Sequence, residues 1–183
     1  MAGSSVTGAG SGAATVGNPR IIGKVVSGNL AVNAVNSSNI DRKPLVIESS
    51  SYTLDHTDAN KVIVIKRAAG STITLPAAIG DGDTFTFVVA TTVTSNSITI
   101  KVANTTDVMI GNAIMCKDGG SSVDGWESSG TSGADSFVLN GSTTGGYAGD
   151  MMVVTDILAG KFHALYIGAG TSTEATPFAS SVS

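Results

Sequence analysis

From residue 44 onward, apolar and polar positions alternate with a period of two along most of the chain. Ile73 and Leu75 alternate with Thr72 and Thr74, and Phe85, Phe87 and Val89 alternate with Thr84 and Thr86. Ile98, Ile100 and Val102 share one face, and Phe162, Ala164 and Tyr166 oppose His163, Leu165 and Ile167. Successive side chains of a strand point to opposite faces, so each run reads as a half-buried strand. The pattern predicts strands over 44–48, 51–54, 61–67, 71–75, 83–91, 97–102, 107–110, 113–116, 135–139, 150–157 and 161–167. Residues 61–67 and 151–154 are apolar on both faces, as strands in the middle of a covered sheet are. Short strands about every ten residues predict an all-β chain, an antiparallel β-sandwich or a jelly-roll-like barrel. No amphipathic run supports a helix, although residues 156–160 suit a single helical turn.

The punctuation adds connections. Pro76 cannot donate to a ladder and ends the strand before it. Gly80-Asp81-Gly82 supplies turn conformations and predicts a hairpin between 71–75 and 83–91, with Asp81 and Asp83 facing water. Residues 117–134 read as one long polar loop, with Trp126 in it either as an exposed contact anchor or folded back over the edge of the core.

The first 43 residues break the pattern. Residues 1–18 are Gly, Ser, Ala and Thr with isolated Val6 and Val16, too little apolar surface to order the segment alone. Residues 19–43 space Ile21, Ile22, Val25, Val26, Leu30 and Val32 between Gly and Asn, which suits an extended arm with apolar footholds. The predicted organisation is an arm over 1–43, a β domain over 44–167, and a Gly/Ser/Thr-rich tail over 168–183 anchored only by Pro177 and Phe178.

Charge sharpens the division. Charged residues make up 13% of the 183 residues, about half the usual share, which suits a protein that buries much of its surface in an assembly. The arm carries Arg20, Lys24, Arg42 and Lys43 against Asp41. Residues 44–183 carry six basic and thirteen acidic side chains, so a basic arm leads into an acidic body. The net charge of −4 and pI near 4.9 argue against a nucleic-acid partner. Cys116 is the sole cysteine, which excludes an internal disulfide and points to a reducing cytoplasm as the place of synthesis. It follows an apolar run and reads as a small buried side chain. No apolar run reaches the length of a membrane span, and the N-terminus lacks the pattern of a signal peptide.

Chemical motifs are thin. Gly17 to Lys24 has the wrong spacing for a phosphate loop, and Val25 stands where a hydroxyl should meet magnesium. Asp81 with Asp83, and Asp118 with Asp124 and Glu127, offer oxygen ligands, but neither set completes a calcium loop. His56 lies in a polar turn and His163 in a strand, with no nucleophile elbow elsewhere. The residues therefore predict no catalytic group, no metal and no cofactor.

Tyr52-Thr-Leu-Asp, Asn60-Lys-Val-Ile, the block from Ser71 to Val89, Asp107-Val-Met-Ile-Gly and the closing Ala175-Thr-Pro-Phe together resemble the capsid decoration (cement) or head-fibre proteins of tailed phages. The similarity is densest over 50–115. It implies a structural protein made in the host cytoplasm and seated on the outer capsid surface, often as a homotrimer, with the major capsid protein as partner. The arm would then supply the capsid contacts through Arg20, Ile21, Ile22, Lys24, Val25, Val26, Leu30 and Val32. A head- or tail-fibre module is the alternative, with Trp126 and Tyr147 as exposed stacking platforms toward a host receptor or glycan.

Overall fold

The computed structural model describes residues 43–120, 122–128 and 133–180. The arm positions from Arg20 to Val32 named above lie outside the described residues. Among the described residues twelve strands form two facing sheets and no α-helix occurs. The strands are β1 (Leu45–Ile47), β2 (Ser51–Thr53), β3 (Val62–Ile65), β4 (Ser71–Thr74), β5 (Thr84–Val89) and β6 (Ile98–Lys101). They continue with β7 (Val108–Cys116), β8 (Val123–Ser128), β9 (Ser136–Leu139), β10 (Met151–Leu158), β11 (Lys161–Ala169) and β12 (Phe178–Ala179). The large sheet has the order β1-β3-β5-β10-β11-β7-β8, and the small sheet β12-β9-β6-β4-β2. This is a β-sandwich-like fold. Each sheet ends in two edge strands, so it is not a closed barrel.

Both sheets are mixed, not antiparallel. The first six strands alternate between the sheets, and each sheet receives a parallel set, β1-β3-β5 and β2-β4-β6. The chain thus winds as a three-turn coil around the core. The predicted hairpin at 71–91 does not form, because β4 and β5 belong to different sheets. The nine residues between them exceed the usual hairpin loop and carry the chain across the sandwich. The positive φ of Gly80 and Gly82 serves this crossing.

After the coil, β10 and β11 form a hairpin that joins β5 to β7, with β11 parallel to β7 over nine residue pairs. Four further expectations are corrected. The runs at 107–110 and 113–116 are one strand, β7. The polar loop over 117–134 contains β8, antiparallel to β7. Residues 156–158 finish β10 and leave only Ala159 and Gly160 for the turn into β11. The supposed tail also supplies the end of β11 and the edge strand β12, whose Phe178 packs tilted against Phe137 with ring centroids 4.4 Å apart.

The core fills from the inward positions of both sheets. Ile63, Ile65, Phe85, Phe87, Val154 and Phe162 come from the large sheet, and Ile73, Ile98, Ile100 and Phe137 from the small one. Phe137 also meets Tyr166 across the interior, with centroids 6.1 Å apart. Among the polar groups buried with this apolar filling, Asp150 gathers four hydrogen bonds. The Asp150 carboxylate accepts from the backbone N–H of Gly146 (2.7 Å), Tyr147 (2.9 Å) and Ala169 (3.0 Å), and from the Tyr166 hydroxyl (2.5 Å). That hydroxyl is lodged against Gly145 and Gly168, where an added Cβ would come within 1.8 and 2.2 Å of it. Burial, the Asp150 charge and their hydrogen bond all push the Tyr166 pKa far up, so it stays a protonated donor.

Candidate functional site: the outer face of the large sheet

The outer faces of a sandwich normally meet water and carry polar residues. The small sheet obeys this. Ser51, Thr72 and Thr99 lie in one register row, and Thr53, Thr74 and Lys101 in the next. The large sheet does not. Val46, Val64, Val88, Met151, Ile167, Ile114 and Gly125 stand side by side across all seven strands, each paired with the next. Val46 is 49% exposed, Ile167 46%, Ile114 40% and Met151 39%. The neighbouring row runs Val62, Thr86, Val153, Leu165, Asn112 and Glu127, so polar groups enter only at intervals and at one end.

Six inter-strand spacings make this apolar row about 29 Å long. Single exposed apolar residues need no explanation, but a contiguous apolar surface on a rigid sheet marks an interaction site. The row ends at a hollow of about 320 Å³ lined by Asn112, Ala113, Ile114, Gly125, Trp126 and Glu127. Gly125, on the outer face of β8, has no side chain to fill it.

The other predicted positions fall as follows. Trp126 lies not on a loop but on β8, half-buried, with its side chain against the core. Tyr147 is half-buried, and its hydroxyl donates to Thr171 Oγ1 at 3.0 Å. Cys116 is exposed at the end of β7, not buried, because Ala113 and Met115 take the inward positions. Asp124 pairs with Lys117 at 2.9 Å and Glu127 points to the other face of β8, so the two do not converge.

Asp81 and Asp83 do not simply face water. The crossing loop brings both to His56, in a short 3-10 turn at His56–Asp58. His56 Nδ1 lies 2.8 Å from Asp83 Oδ2 and 3.3 Å from Asp81 Oδ2. The hydrogen bond to Asp83 is the main cause that lifts the imidazole above its ordinary 6.5, with the Asp81, Asp83 and Asp156 charges adding to it and partial desolvation opposing it. A raised folded-state pKa gives a stabilisation that is full below the unfolded value and is lost as pH rises through the folded one. In metal-free buffer, a thermal-midpoint profile against pH should show a small stability loss as pH rises from 6.5 through the raised value. Asp83→Asn should flatten that step; an unchanged profile would mean the ion pair contributes nothing. The effect is small because the ring is solvent-screened, 44% exposed.

No family model matches the chain, and neither a curated protein nor a solved structure gives a match. Among the described residues no helix is long and apolar enough to cross a membrane.

Proposed function

We propose that this chain is a non-enzymatic structural protein of a tailed-phage virion, which binds the outside of the capsid shell and stabilises it. The observation that carries an attachment role is the apolar row across the large sheet's outer face. Its partner on this reading is the major capsid protein, against whose surface the row lies while the basic arm reaches a neighbouring subunit. The phage assignment rests on the resemblance of the segments within 50–115. The low charge content supports a chain that buries much of its surface in an assembly. Many copies on a symmetric shell turn modest contacts into firm retention, and a homotrimer at a threefold position multiplies the effect.

The test is the copy number of this chain on purified virions, measured by mass spectrometry against the major capsid protein. A ratio near one per capsid subunit is the expected result. A few copies per particle would overturn the decoration role in favour of a fibre that contacts the host surface. Deleting residues 2–40 should abolish attachment and leave the β domain folded.

A further inference from the structure

We propose that His56, Asp81 and Asp83 form a binding site for one divalent first-row transition ion. The three donors come from two segments: His56 from the turn after β2, and the two carboxylates from the loop that crosses between the sheets. Their ligand atoms all lie within 4.8 Å of one another. Metal–ligand bonds of about 2.0–2.1 Å set neighbouring donors about 2.9–3.4 Å apart in octahedral or tetrahedral geometry. The separations from Nδ1, 2.8 and 3.3 Å, match those edges closely.

The charge balance points the same way. One imidazole nitrogen faces two carboxylates, and its single N–H serves only one of them. The ion pairs of Asp81 and Asp83 both run to this ring. Asp156 adds a further negative charge, with its carboxylate accepting from Ile79 N and Gly80 N at 2.8 Å each. Even with the ring protonated the three carboxylates exceed it in charge. Asp58, in the same turn as His56, is paired with Lys61.

The scaffold is set in advance. Besides the two Asp156 carboxylate bonds, Gly82 N donates to the Asp156 carbonyl and Asp156 N donates to that of Asp83. The Asp55 carboxylate caps the turn that carries His56. Preset donors of this kind are what a metal site requires. Imidazole with two carboxylates suits zinc, nickel or manganese better than calcium, which takes six to eight oxygens. Water completes the shell, since the His56 side chain is 44% exposed and that of Asp81 34%. The ion would bind Nδ1 in its unprotonated form, leaving the proton on Nε2.

The experiment is calorimetric titration of the untagged, chelator-stripped full chain with Zn²⁺, repeated with Mg²⁺ and Ca²⁺. One Zn²⁺ per chain is expected, with affinity lowered at least tenfold in His56→Ala and in Asp83→Asn, and unchanged in Cys116→Ser. Weak or no heat with Mg²⁺ and Ca²⁺ is expected as well. Circular dichroism of the metal-free variants should match the parent, since none of the substituted side chains belongs to the apolar core. Absence of Zn²⁺ binding, or binding that survives both substitutions, would overturn the site. Neither result bears on capsid attachment.

Discussion

Asp150→Ala is expected to destabilise the domain by about 3–5 kcal/mol, the scale seen when one partner is removed from a buried charged network. The carboxylate serves four donors at once: the N–H groups of Gly146, Tyr147 and Ala169, and the Tyr166 hydroxyl. Asp150 is 4% exposed and Tyr166 fully buried, so water does not readily replace the lost acceptor. The node ties the loop before β10 to the end of β11, two central strands of the large sheet. A loss of that size is a large fraction of a typical domain stability of about 5–15 kcal/mol. It corresponds to a drop in thermal midpoint of about 6–20 °C. Asp150→Asn keeps the shape and one acceptor oxygen and should lose less, and Tyr166→Phe, which removes a single donor, less again. Urea unfolding of the three variants checks the order. Asp150→Ala within about 1 kcal/mol of the parent would show that the node is not a stabilising centre.

The strands themselves were readable in the sequence, because alternation records which side chains point inward. Ile98, Ile100 and Val102 are buried as their spacing predicts, and so are Phe162, Ala164 and Tyr166. Alternation does not record which sheet a strand joins. Thr72–Leu75 and Thr84–Val89 carry the same period whether they pair with each other or sit across the core, and only the length of the intervening loop separates the two cases. The β8 strand escaped because Val123–Ser128 is rich in polar residues and glycine, and it gains its order from the long β7 beside it. The His56, Asp81 and Asp83 cluster escaped for a related reason. Its members lie 25 and 27 positions apart, and one turn of the coil brings them together.

The apolar outer face did leave a signal, which admits two physical readings. Within 61–67 the run Val62–Ile65, and likewise residues 151–154, is apolar on both faces, a pattern that also marks a strand covered on both sides. In the structure β3 and β10 are covered on one side only, and Val62 and Met151 remain open on the other. The pattern becomes decisive only when the register is known. It then joins Met151 to Val88 and Ile167, and through them to the full row.

Ile167→Glu should lower capsid attachment by about 100-fold or more while leaving the fold intact. Ile167 sits inside the row, between Met151 and Ile114 in register, and is 46% exposed. If the row docks on the shell, the new carboxylate must lose its water without gaining a partner. A penalty near 2.7 kcal/mol, within the range of interface hot spots, gives about that loss. In the free protein the same side chain points to solvent, so its effect on stability should stay within about 0.5 kcal/mol. Thr99→Glu on the polar outer face of the small sheet is the matched control and should bind like the parent. The readout is retention on purified capsids after sedimentation, with the thermal midpoint measured alongside. Full retention of Ile167→Glu would exclude this face and leave the arm as the only anchor. Equal loss in both variants would implicate general charge rather than this surface.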